Sequence, residues 1–95
     1  MTEKLYENDS YLQTFTATVL ACTPAPGGYA VVLDRTAFYP EGGGQPCDTG
    51  RLGDAAVRAV HTDGETVLHT TDTPLPVGGT VEGSIDWPAR LDAMQ

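Results

Sequence analysis

Turn-forming residues break this chain at close intervals, and that punctuation constrains its fold more than any other feature. TPAPGG occupies 23–28, PEGGGQP 40–46, DG 63–64 and PLPVGG 74–79. With eleven glycines and seven prolines among 95 residues, long helices have little room, and the stretches between turns read as short strands. The length allows one domain with one modest core.

The stretches themselves support that reading. In QTFTATVLAC the residues Phe15, Ala17, Val19 and Ala21 alternate with Thr14, Thr16 and Thr18, the period of a half-buried strand. YAVVLD follows the first turn, and its unbroken apolar run from Tyr29 to Leu33 predicts burial on both faces. Asp63-Gly64 is the strongest hairpin signal, because a type I′ turn needs positive φ at both central positions. With those two residues as the loop, Thr62 pairs with Glu65, Val60 with Val67 and Arg58 with His69. His61 then lies opposite Thr66, and His61 and His69 project from opposite faces. TVEGSID is a last strand with Val81 and Ile85 inward. The inventory of five or six short strands predicts a mainly β fold: a small closed or partly open β-barrel.

The period changes at the end. In DWPARLDAMQ, Asp86 can cap a helix with Pro88 in its first turn. Trp87, Leu91 and Met94 form an apolar stripe. Barely two turns of helix are marginal alone, so this segment reads as the start of something larger.

A net charge of −8 with five basic residues, Lys4, Arg35, Arg51, Arg58 and Arg90, argues against direct nucleic-acid binding by this chain, since phosphate contacts rest on Lys and Arg. The N-terminus carries no apolar core of signal-peptide length. No apolar run approaches the roughly 20 residues of a membrane span, so no membrane partner and a cytoplasmic location are expected. Cys22 and Cys47 then read as reduced, buried thiols.

Several chemistries are disfavoured. The glycines of 42–44 are followed by Gln45-Pro46-Cys47 rather than Lys-Ser/Thr, which removes a phosphate-binding P-loop. HxxxH and CxxC spacings are absent; a metalloenzyme built on His61, His69 and the cysteines would need another register. Catalysis by Cys47 lacks an identifiable base, and Glu41 and Asp48 read as turn acids. No catalytic residue and no metal ligand is assigned. What remains is Thr36, Gly42, Gly43, Gly44 and Gln45: bare backbone can approach a small ligand closely, and hydroxyl and amide groups can orient it. A tight turn of architectural value only is the competing reading.

LDRTAFYPEGGGQPCDTG strongly resembles the signature of the alanyl-tRNA editing family, which comprises the editing region of alanyl-tRNA synthetases and the free-standing editing proteins. The opening LYENDSYLQTFTATVL, the Asp-Gly hairpin with its Val-Leu-His strand and the exit GTVEGSIDWPARLDAM are similar too, so the resemblance spans nearly the whole chain. It implies a barrel like those of translation proteins over 1–86. Residues 87–95 would start a helix leading into a zinc-binding deacylase domain absent from this chain. It also implies that Gly42, Gly43, Gly44 and Gln45 edge the pocket for the aminoacyl group, with Thr36 in support. The expected substrate is serine or glycine mischarged on alanine tRNA, reached through the missing domain, and the expected cofactor is zinc in the full-length parent, with none in this chain. Self-association into a homo-oligomer is left open. The alternative is a non-catalytic module that docks onto a synthetase or another translation protein through Trp87, Leu91 and Met94.

Overall fold

A computed structural model of the chain describes residues 3–5, 13–41 and 47–86. Gly42, Gly43, Gly44, Gln45 and Pro46 lie outside the described residues, as does the expected helix start with Trp87, Leu91 and Met94. The described residues are mainly β and include no helix.

Eight strands follow in order: β1 (Glu3–Lys4), β2 (Thr14–Ala25), β3 (Gly28–Leu33), β4 (Arg35–Thr36), β5 (Gly50–Leu52), β6 (Ala55–Asp63), β7 (Thr66–Thr71) and β8 (Thr80–Ile85). Six of them close into an antiparallel barrel in the order β2-β3-β7-β6-β5-β8, while β1 and β4 form a parallel pair beside it. Closure removes every free sheet edge within the ring, which is how a chain of short strands avoids edge pairing with other molecules.

The alternation in β2 works as the sequence predicts up to its middle. Phe15, Ala17 and Val19 are buried. A register shift then falls between Val19 and Ala21, and the extra residue turns the strand over. Cys22, not Ala21, therefore joins the core, while Leu20 is left exposed. The strand also runs through the expected turn: Pro24 pairs with Tyr29 and Ala25 with Gly28, leaving Pro26-Gly27 as the corner. This half of β2 has no partner opposite β3, the setting in which a strand proline is tolerated.

In β3 the burial alternates. Val31 and Leu33 are fully enclosed while Tyr29, Ala30 and Val32 are half-buried, so the continuous apolar run is covered completely on one face only. β8 turns Ile85 into the core, and Val81 packs against it.

The β6–β7 hairpin forms, one residue later than expected. Asp63 pairs with Thr66, Thr62 with Val67, His61 with Leu68 and Val60 with His69. The two loop residues are thus Gly64 and Glu65. Only Gly64 has positive φ, +64°, and a turn with glycine at its first central position is the II′ kind rather than I′. Asp63 has negative φ and stays in the ladder. A second register shift falls between Val57 and Ala59, so Arg58 has no partner in β7 and remains exposed. His61 and His69 do lie on opposite faces: His69 is fully enclosed and His61 half-exposed.

The core is continuous through the ring and includes Phe15, Val19, Val31, Leu33, Phe38, Leu52, Val60, Val67 and Ile85. Phe38 comes from the Gly-rich signature yet is the largest fully buried side chain. Its ring stands edge-on to Phe15 at 5.7 Å and to His69 at 5.6 Å, both favourable aromatic geometries.

Candidate functional site

The signature segment enters the barrel wall at β4 and leaves it at β5. Its two flanks are held by side chains where strand pairing is missing. On the entry side, Thr36 is fully buried. Its Oγ1 accepts the Phe38 N–H at 3.0 Å and lies 2.8 Å from Nε2 of His69. Nδ1 of His69 lies 3.0 Å from the carbonyl oxygen of Val31. A carbonyl only accepts, so Nδ1 carries the proton, Nε2 is the acceptor and the Thr36 hydroxyl donates to it. Burial favours this neutral imidazole and lowers the pKa from 6.5 to about 4; the Val31 bond opposes the shift and the charge of His61 adds to it.

Further along, the Glu41 N–H donates to Val60 O at 2.9 Å, so the segment runs along the part of β6 that β5 does not reach. The two ends of the loop are then tied together. The Tyr39 N–H donates to Oδ2 of Asp48 at 2.8 Å, and the Asp48 N–H donates to Tyr39 O at 2.9 Å. One residue thus offers another both an N–H and an acceptor, as a neighbouring strand would. Asp48 is buried, so it is no surface turn acid but a latch that ties its own segment to Tyr39. Tyr39 keeps its backbone in this latch while its side chain is 45% exposed.

The exit flank meets the C-terminal strand. Gly50 pairs with Ile85, Arg51 with Ser84, and the Asp86 N–H donates to Thr49 O at 2.7 Å. A Cβ on Gly50 would come within 2.0 Å of Ser84 O, so only glycine allows this close approach. An open groove of about 440 Å³ lies here, lined by Thr49, Gly50, Arg51, Val57, Ser84, Ile85 and Asp86. The base of the signature loop and the end of β8 therefore share one rim.

Of the residues singled out from the sequence, Thr36 is described, and it lies in the core rather than on an open surface. Sequence reasoning missed His69, Phe38 and Asp48 as partners of the signature. His69 meets Thr36 across 33 positions and Val31 across 38, which barrel closure brings together, whereas Asp48 meets Tyr39 from nine positions away. Among the described residues no group of three or more His, Cys, Asp or Glu could hold a metal ion, so these residues do not fit a zinc site. Cys22 and Cys47 are free thiols, half-buried against the core, and the Leu75 N–H points at Sγ of Cys22 at 3.5 Å. The described cations sit on separate strands, Lys4 on β1, Arg35 on β4, Arg51 on β5 and Arg58 on β6, without a basic stripe. No helix long and apolar enough to cross a membrane occurs among the described residues.

Comparison of the sequence with known proteins finds related chains. Residues 11–89 match the family described as tRNA synthetases class II (A). The chain is 40% identical over 104 residues to the alanyl-tRNA editing protein Aarsd1 of Rattus norvegicus, covering 96% of this chain and 25% of that protein. It is 44% identical over 99 residues to the alanine–tRNA ligase of Pyrobaculum neutrophilum, covering 99% of this chain and 11% of the ligase. Against the alanine–tRNA ligase of Thermoplasma acidophilum the identity is 43% over 97 residues, with 98% and 11% covered. The chain thus spans about a quarter of the editing protein's length and about a tenth of each ligase's.

Proposed function

Because this chain belongs to the class II (A) tRNA synthetase family, we propose that its barrel serves alanyl-tRNA editing as one wall of the pocket that recognises the aminoacyl group. Gly42, Gly43 and Gly44 offer backbone with no side chain in the way, and Gln45 offers an amide that can both donate and accept. A serine or glycine esterified to alanine tRNA is small enough for backbone N–H groups to address directly. Thr36 supports the wall from inside the barrel and does not touch substrate in this reading.

The observation that carries the proposal is the shared rim. The Tyr39–Asp48 latch holds the ends of the signature loop, and the exit flank of that loop is bonded to Ser84, Ile85 and Asp86. A deacylase domain reached through the helix start expected over 87–95 would leave the barrel at this rim. The hydrolytic chemistry and any zinc belong to that domain, and no step of it is assigned to residues of this chain. With a net charge of −8, the tRNA body is left to the same domain, since phosphates demand cationic side chains. A cytoplasmic setting, where charged tRNA is found, goes with this reading.

A chimera tests it. This chain replaces the matching quarter of the rat editing protein, and deacylation of serine-charged alanine tRNA is followed. The chimera should hydrolyse the seryl ester and spare the alanyl ester. Gln45→Ala within it should lower that discrimination by about tenfold, the scale of one lost polar contact. Unchanged discrimination would sink the pocket role.

A further inference from the structure

His69 stands at the centre of the barrel with no chemistry to perform. It is fully enclosed, and a buried polar side chain costs stability unless its hydrogen bonds are met. An apolar residue would fill the space without that obligation. The two ring nitrogens, however, reach different parts of the fold. Nδ1 donates to Val31 O on β3, in the regular wall of the barrel. Nε2 accepts a hydrogen bond from the Thr36 hydroxyl, at the entry to the signature segment. With that proton committed, the lone pairs of Thr36 Oγ1 are turned to the Phe38 N–H.

We propose that His69 is a positioning residue for the signature segment: anchored on Val31, it fixes the Thr36 hydroxyl, which in turn holds the backbone at Phe38. The inference rests on the reading of that segment as the pocket wall and adds to it the residue that aims the wall. It also accounts for two features that packing alone leaves unexplained. The first is a histidine in a core otherwise rich in Val, Leu and Phe. The second is that the Phe38 N–H is held by a side-chain hydroxyl rather than by a neighbouring strand. The Tyr39–Asp48 latch one residue later then extends that hold to Asp48.

Thr36→Val and Thr36→Ser separate packing from positioning. Valine keeps the side-chain volume and loses the hydroxyl, whereas serine keeps the hydroxyl and loses a methyl. A role in packing alone makes valine the milder change; positioning makes serine the milder one. Amide exchange and the ¹⁵N resonances of His69 are to be read on the 95-residue chain. In Thr36→Val, exchange at Phe38 and Tyr39 should accelerate about tenfold relative to the β2–β3 ladder, as expected for one lost hydrogen bond. The Nε2 resonance should also leave its hydrogen-bonded position. Thr36→Ser should stay close to the parent in both. A valine variant that fails to fold beside a folded serine variant shows the same ordering.

His69→Phe keeps a ring of similar size and removes both bonds, so it should accelerate the same two amides. Valine as mild as serine, or acceleration spread evenly over the barrel, overturns the inference and leaves the pocket reading standing. In the rat chimera, Thr36→Val should lower kcat/KM for the seryl ester while Thr36→Ser preserves it. If Gln45→Ala changes nothing there, the pocket reading itself fails, whatever the exchange data show.

Discussion

Along β2, β3 and β7 the chain is bound backbone to backbone, with Cys22 facing Val31, and Val31 facing His69, in ladders interrupted only by the bulge between Val19 and Ala21 of β2. Among the described residues from Asp34 to Thr49, strand pairing is confined to the two-residue β4, and side chains join the backbone in the bonding. Asp34 shows the change at the boundary: its N–H donates to Thr18 O at 3.0 Å while its carboxylate accepts the Thr18 N–H at 2.9 Å. Thr36 with His69, and Asp48 with Tyr39, continue the same substitution. The regular wall needs only alternating apolar residues. Beyond β4, which pairs with β1, the described part of the signature wall is held by single backbone bonds such as Glu41 N–H to Val60 O and by polar side chains.

Phe38→Ala breaks this comparison most severely. The ring joins the two walls, touching Phe15 on β2 and His69 on β7. Truncation of a fully buried aromatic costs about 3–5 kcal/mol, a large share of the ~5–15 kcal/mol available to a small domain. Chemical denaturation should show the barrel largely or wholly unfolded. A loss below ~1 kcal/mol, the level of an ordinary substitution, would mean that the signature wall is not packed on the core.

Acid is the next largest perturbation, and its sign follows from His69. The unfolded chain takes up a proton as pH falls through 6.5, while the folded chain resists until about 4. The stability linked to this group is therefore complete above pH 6.5 and is lost as pH falls from there toward 4. The slope reaches at most ~1.4 kcal/mol per pH unit. Denaturant midpoints across that window should fall in the parent and flatten in His69→Phe. A parent profile as flat as the variant's would remove the neutral imidazole from the centre of the signature wall.

These two walls differ as much in legibility as in bonding. The inward set of Phe15, Ala17 and Val19 was readable because period-two alternation is local. The bulge at Leu20 was not, since nothing in VLAC marks an extra residue, and so Ala21 was placed where Cys22 belongs. Asp63-Gly64 announced a hairpin but not its register. A glycine can serve either the second position of one turn type or the first of another, and Glu65 accepts the negative φ that the latter requires. In the signature, the glycines announced themselves through composition and resemblance. The groups that hold their flanks did not: His69 looked like an ordinary strand residue and Asp48 like a turn acid. The role of His69 depends on which distant segments a closed barrel brings together, and that of Asp48 on how the chain folds back to Tyr39; turn chemistry carries neither.

Asp48→Ala comes third. It removes the carboxylate that receives the Tyr39 N–H in a buried setting, where such a loss costs ~1–3 kcal/mol. Asp48→Asn keeps an oxygen acceptor and should recover most of the stability. In the chimera, the alanine variant should lose seryl-ester hydrolysis beyond what its lower stability explains. Equal effects of alanine and asparagine would show that the charge, not the acceptor, is what the latch needs.

Asp72→Ala is the smallest expected effect and the control for all of the above. Asp72 makes the same reciprocal pair with Ala56, its N–H donating to Ala56 O at 3.2 Å and its Oδ1 accepting the Ala56 N–H at 2.9 Å. That N–H holds its carboxyl below the ordinary value of 3.8. Its contribution is therefore present above that value and lost as pH falls through the lower folded one. The difference from Asp48 is solvent: Asp72 is exposed, so water can take the place of the carboxylate. The unfolding midpoint should stay within error of the parent while the Ala56 amide alone exchanges faster. If Asp72→Ala destabilised the chain as much as Asp48→Ala, burial would not be what distinguishes the Tyr39–Asp48 latch, and the two pairs would be equivalent despite their different exposure.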